Sequence, residues 1–171
     1  QHANAFGDGN DAYGKQTQSF GDDNKIYADS SVGFGANNTA GKYSDTDPQA
    51  TRTADANTES VAIFGLNNNV VGKNILAVGK DNKVTDDTTT NATVIGFGAT
   101  ASSANATAIG TAASALANET VAIGQAAKAS GQNSNAYGSQ ANASGTSSLA
   151  VGTGSVASGD SAVAIGNDST V

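Results

Sequence analysis

The chain has 171 residues, an ordinary length for one domain; 37% of them are apolar, and alanine supplies many of these. A formal charge of −7, with eight Lys and Arg together, excludes a nucleic-acid footprint and fits poorly with a polyanionic ligand or an anionic membrane surface. The chain has no cysteine, so disulfide and thiolate chemistry are excluded, and no apolar run approaches the roughly 20 residues of a membrane helix.

In chain order, the predicted elements follow a 14-residue beat. Gly7, Gly21 and Gly35 open it, Gly65 and Gly79 continue it after one interruption, and Gly96, Gly110, Gly124, Gly138, Gly152 and Gly166 run on without a break. A large apolar residue precedes each of these glycines, from Phe6 to Ile165, and a smaller apolar residue follows five positions later, from Ala12 to Val171. Such a period means stacked identical units, none of which can bury an apolar face alone. Gly14, Gly72, Gly131, Gly145 and Gly159 mark a half-period, so each coil has two short strands closed by tight turns, with glycine supplying positive φ. Alternation in Val121-Ala122-Ile123 and Leu149-Ala150-Val151 is a strand signal. A coiled coil is excluded, since glycine every seven residues would cost roughly 1 kcal/mol each in a helix. Eleven or twelve coils spaced about 4.8 Å apart would stack to roughly 55 Å.

Residues 1–39 form aromatic-rich first coils, with Phe6, Tyr13, Phe20, Tyr27 and Phe34 on the beat. Residues 42–57 form an insertion loop, since Gly35 and Gly65 are 30 residues apart; it holds the only Pro and the only Arg. Residues 58–90 are middle coils, with a second excess of three residues near Thr88-Thr89-Thr90, and residues 91–171 are regular coils. Asn10, Asn24, Asn38, Asn68 and Asn82 share one slot, where stacked amides can hydrogen-bond along a parallel sheet; later coils place Ala99, Ala113, Ala127 and Ala141 there. The large residues, Val163 and Ile165 among them, are expected in core-facing slots, and the small-residue faces are expected to pack against other copies of the chain.

No catalytic, cofactor or metal site is expected. The single histidine, His2, stands near the start, and Asp22-Asp23 and Asp86-Asp87 read as solvated turn carboxylates outside any calcium-loop spacing. The function-like feature is the insertion: Lys42, Tyr43 and Arg52 are the candidate receptor contacts, on an aromatic-bearing loop of mixed charge.

Glu119-Thr120-Val121-Ala122-Ile123-Gly124, followed by Ala126-Ala127-Lys128-Ala129-Ser130-Gly131, resembles the head repeat of trimeric autotransporter adhesins, as does Ser161-Ala162-Val163-Ala164-Ile165-Gly166. The resemblance to these YadA-like heads is most specific from Thr93 onward. It implies an all-β fold, a left-handed parallel β-roll of 14-residue coils forming a single head over residues 1–171, assembled as a homotrimer. It further implies adhesion of a Gram-negative bacterium to host matrix protein, a host cell receptor or another bacterium's surface. Anchorage in the outer membrane would then come through parts outside this chain, without membrane insertion by this segment. The alternative is a non-binding spacer in a surface fibre. In some members a repeat resembling Asn-Ser-Val-Ala-Ile-Gly-x-x-Ser is linked to collagen binding. Its nearest match here is Val163, Ala164, Ile165 and Gly166 with Ser169, preceded by Ser161-Ala162 in place of Asn-Ser.

Overall fold

The computed structural model describes residues 2–42 and 55–171. Among the described residues the chain winds into a parallel β-solenoid with two sheets. The first has eleven strands: Asn4–Phe6, Gln18–Asp22, Val32–Ala36, Glu59–Leu66, Lys73–Lys80, Thr93–Phe97, Thr107–Ile109, Val121–Ile123, Asn135–Tyr137, Leu149–Val151 and Val163–Ile165. The second has ten two-residue strands, from Asp11–Ala12 to Val156–Ala157. The two sheets alternate along the chain, and every strand pairs only with its counterparts one coil away. Register follows the beat: Ile109 pairs with Ile123, Ile123 with Tyr137, and Tyr137 with Val151. The register passes through both insertions, with Phe34 opposite Phe64 and Val78 opposite Ile95.

Each coil turns two corners, and each corner holds a residue near φ +55°. The series Asn105, Ala112, Glu119, Ala126, Asn133 and Gln140 advances by seven residues. The half-period glycines do not all serve as left-handed residues. Gly131 is not in that region; a Cβ there would fall on the Gly145 carbonyl of the next coil, so its role is close approach. Gly96 has both reasons, with φ +148° and a Cβ position that meets the carbonyl of Gly110.

The interior reverses one expectation. In Val121-Ala122-Ile123 the buried residue is Ala122, and in Val163-Ala164-Ile165 it is Ala164, while Val163 is 53% and Ile165 66% exposed. In these coils the small residues form the interior and the large ones face out, so Val163 and Ile165 are not in core-facing slots, whereas earlier coils bury Ile26, Ile63 and Ile75. The reason is space. Across a coil, Ala106, Ala108, Ala113 and Ala115 all lie at 0% exposure, and an interior filled by four methyl groups has no place for Ile. Wider coils balance volumes instead: Gly33 leaves the room that the Ile26 Cδ1 methyl occupies, 2.6 Å from where a Gly33 Cβ would lie.

The asparagine slot is a buried amide ladder. Asn24 Nδ2 donates to Asn10 Oδ1 at 3.1 Å, Asn38 to Asn24 at 2.9 Å and Asn68 to Asn38 at 2.9 Å. Asn82 joins through its backbone N–H, which donates to Asn68 Oδ1 at 3.1 Å, and its own oxygen accepts the Ala99 N–H at 3.0 Å. The ladder thus ends by handing over to the alanine coils. Buried polar groups are satisfied at every rung, as burial requires.

Candidate functional site

Strand alternation sends the residue before each main glycine to the outer face of the first sheet. In-register parallel pairing then sets like residues above one another. Phe6, Phe20, Phe34 and Phe64 form a continuous stack with centroids 5.0, 4.6 and 5.4 Å apart and planes within 6° of parallel. Val78, Ile95, Ile109, Ile123, Tyr137, Val151 and Ile165 carry the column onward. Two residues earlier, Val32, Leu76, Val121, Leu149 and Val163 widen it on the same face. In the coils around the middle the strands run further, adding Leu66, Lys80 and Phe97, with Lys80 Nζ 5.6 Å from the Phe97 ring centroid. A contiguous apolar surface of this length marks an interaction face. The second sheet's outer face is mostly polar, with Lys83, Thr100, Ser114, Lys128 and Asn142 in one column that ends at Val156.

The described ends of the insertion meet the three-residue excess. Lys42 Nζ forms an ion pair with Asp87 Oδ2 at 2.7 Å, on an exposed surface. The Lys42 N–H donates to Asp55 Oδ2 at 2.8 Å, and Asp55 also accepts from the Asn57 N–H and the Thr58 hydroxyl, both at 3.0 Å. Burial pushes the Asp55 carboxyl up, but these donors prevail and hold it below the usual carboxylate value. The Asp86 carboxyl is also held low, by the hydroxyl and backbone N–H of Thr88. The hydrogen bond to Asp87 raises the Lys42 ammonium above its ordinary value, against slight desolvation. Tyr43 and Arg52 lie outside the described residues. His2 is exposed and lines a polar depression of about 380 Å³ with Lys15, Gln16, Asp29, Ser30 and Glu59. Among the described residues no group of three or more His, Cys, Asp or Glu could hold a metal ion, and no helix is long and apolar enough to cross a membrane.

Residues 90–113, 115–141 and 143–169 match the YadA head domain repeat (2 copies). Residues 90–169 form a YadA-like head. No curated protein matches the chain. In this YadA-like head the matched repeats fall on the alanine-cored coils, whose outer column is Ile95 to Ile165. The family associates such heads with adhesins of trimeric autotransporters.

The collagen-type match has the Val163 and Ile165 side chains outward, Ala164 sealed inside and Ser169 half-buried just before the Thr170 bridge to Val156. Sequence reasoning did not identify Asp55 and Asp87 as the partners of Lys42, because both are half-buried acids off the beat. It also missed the direction of the alternation. A signal was present: in coils from Ala108 to Ala164 the middle residue never varies, while its neighbours range over Val, Ile, Tyr, Leu, Thr and Asn. Constancy at Ala marks the confined side.

Proposed function

We propose that the chain is one protomer of a homotrimeric head that holds a Gram-negative bacterium to host extracellular matrix, host cells or other bacteria. The observation that carries this reading is the unpartnered apolar column from Phe6 to Ile165. Left-handed coils arranged around a common axis would cover that column with the matching columns of two further copies. The polar second sheet and the corners would then form the outside of the fibre. Recognition is by extended surface contact, with Lys42, Tyr43 and Arg52 of the insertion as contacts repeated three times, so that avidity makes weak individual contacts sufficient. The head is held at the cell surface by outer-membrane anchorage encoded elsewhere in the polypeptide.

Bead adherence tests it. The chain is first shown to be trimeric by analytical ultracentrifugation, then coated on beads and offered collagen, epithelial cells and other bacteria beside a Lys42–Asn57 deletion. Adherence lost with the deletion supports the reading in full. Adherence that survives moves recognition to the coil faces. No adherence to any surface favours the spacer reading, which the uniform alanine-cored coils of residues 91–171 recommend.

A further inference from the structure

Lys42 is held at both ends. Its backbone N–H donates to Asp55 Oδ2 at 2.8 Å, and its ammonium meets Asp87 Oδ2 at 2.7 Å. The first contact closes the mouth of the insertion, because Lys42 and Asp55 stand 13 residues apart in sequence. The solenoid uses the same device between coils. Asp29 Oδ1 accepts the Lys15 N–H at 2.7 Å and Asp160 Oδ1 accepts the Thr146 N–H at 2.9 Å, each across 14 residues. There the carboxylate joins one coil to the next. At Asp55 it joins the two limbs of one excursion.

Asp55 is itself fixed from several sides. Its N–H donates to the Tyr27 carbonyl at 2.7 Å, which seats the returning limb on the preceding coil. Tyr27 is buried there, its ring stacked on Tyr13 with centroids 5.8 Å apart. Gly41 permits the approach: its φ is +87°, and a Cβ would lie 3.1 Å from the Asp55 Cβ and 3.3 Å from the Tyr27 Cβ. The Thr58 hydroxyl, on a fully buried residue, donates to Asp55 Oδ2 and accepts the Gly72 N–H at 3.2 Å, so the clasp continues into the following coil. Hydrogen bonds from backbone N–H groups to a carboxylate are charge-assisted and strong. The Lys42–Asp87 pair is exposed and screened, so the weight of the clasp falls on Asp55.

Given the adhesive reading above, we propose that Asp55 is its positioning residue: the carboxylate clasps the two limbs of the insertion and sets Lys42 for the partner surface. Asp55 acts through Lys42 and does not itself touch the partner. Ordering Lys42 in advance removes part of the entropy cost of binding, and three copies of the head would multiply that gain.

Two measurements on the full chain test this. Amide exchange followed by NMR reads the clasp without any partner, and bead adherence reads its use. The position-42 N–H should exchange roughly tenfold faster or more in Asp55→Ala, while the Gly124 N–H, bonded to the Ile109 carbonyl within the regular coils, keeps its rate. Lys42→Ala should leave the position-42 N–H protected, because the backbone donor remains. Asp55→Asn retains a side-chain oxygen and should recover part of the protection. Adherence should fall in Asp55→Ala although Lys42 is intact, and should recover in Asp55→Asn in step with the exchange rate. An unchanged position-42 rate in Asp55→Ala overturns the proposal, as does unchanged adherence once the clasp is open. Adherence lost in Asp55→Asn with the amide still protected also overturns it, because Asp55 would then be a contact. A parent chain that adheres to nothing overturns the adhesive reading, and the exchange rates then decide the clasp on their own.

Discussion

Lys42 and Asp87 join the two places where the chain leaves its beat. Their 2.7 Å ion pair spans 45 residues of sequence and ties the start of the 42–57 insertion to the three-residue excess. Deleting residues 42–57 reconnects Gly41 to Thr58, the spacing that Tyr27 and Ala28 have one coil earlier, and restores 14 residues between Gly35 and Gly65. The deletion should therefore keep the solenoid and its cooperative melt. Circular dichroism and a thermal scan check this, and a broadened or non-cooperative transition would show that the insertion is structural. Lys42→Ala alone should leave the melting temperature unchanged, because both partners are solvent-exposed and screened.

The Asp55 side chain, with three donors, is a stronger anchor than the ion pair. Its folded pKa lies below the unfolded value, so its contribution to stability is fully present above about pH 4 and is lost as pH falls through the folded value. Asp86 acts in the same direction. Melting temperature should drop as pH falls below about 4, and Asp55→Asn should flatten that drop while lowering stability at neutral pH. An acid limb as steep in Asp55→Asn as in the parent chain would assign the loss to other carboxylates.

The asparagine ladder sets the polar half of the core. Asn38→Ala leaves the Gly65 carbonyl and the Asn68 amide without their present partners, and should cost about 2–4 kcal/mol. The converse change, Ala127→Asn, places an amide between Ala113 and Ala141, where no ladder exists, and should also destabilise. Chemical denaturation of each variant measures both effects. A neutral Asn38→Ala would mean that the ladder is incidental to stability.

Gly96 and Gly98 separate the two uses of glycine. Both have positive φ, but a Cβ at Gly96 meets the Gly110 carbonyl and one at Gly98 meets nothing within 4 Å. Gly98→Ala should cost about 1–2 kcal/mol, the left-handed penalty alone. Gly96→Ala should cost considerably more, because backbone of the next coil must move. Equal costs would show that conformation, not coil spacing, maintains the beat.

Most of this architecture was legible in the sequence because a solenoid writes its geometry as a period. The main glycines, the two strands per coil and the amide ladder follow from which residues recur at which offset. The sense of the alternation was less accessible, because Val-Ala-Ile reads the same whichever side faces in. Deciding it requires the interior width, a property of two opposed sheets and two corners together. The Lys42–Asp87 pair was hidden for a different reason: both residues lie in non-repeating stretches, where no period constrains which charges meet.

The direction of that alternation yields the most discriminating prediction. Ala122 is fully buried between Ala108 and Ala136, whereas Ile123 lies on the outer column between Ile109 and Tyr137. Ala122→Leu should disrupt the coil itself, costing about 1–3 kcal/mol or more by overpacking. Ile123→Ser should leave the coil intact, since its side chain fills no interior space, but should weaken association of the chain with its own copies. Analytical ultracentrifugation with circular dichroism distinguishes the two variants. A misfolded Ile123→Ser would return the large residues to the interior. A folded variant with unchanged association would mean that the apolar column serves some partner other than a second copy of this chain.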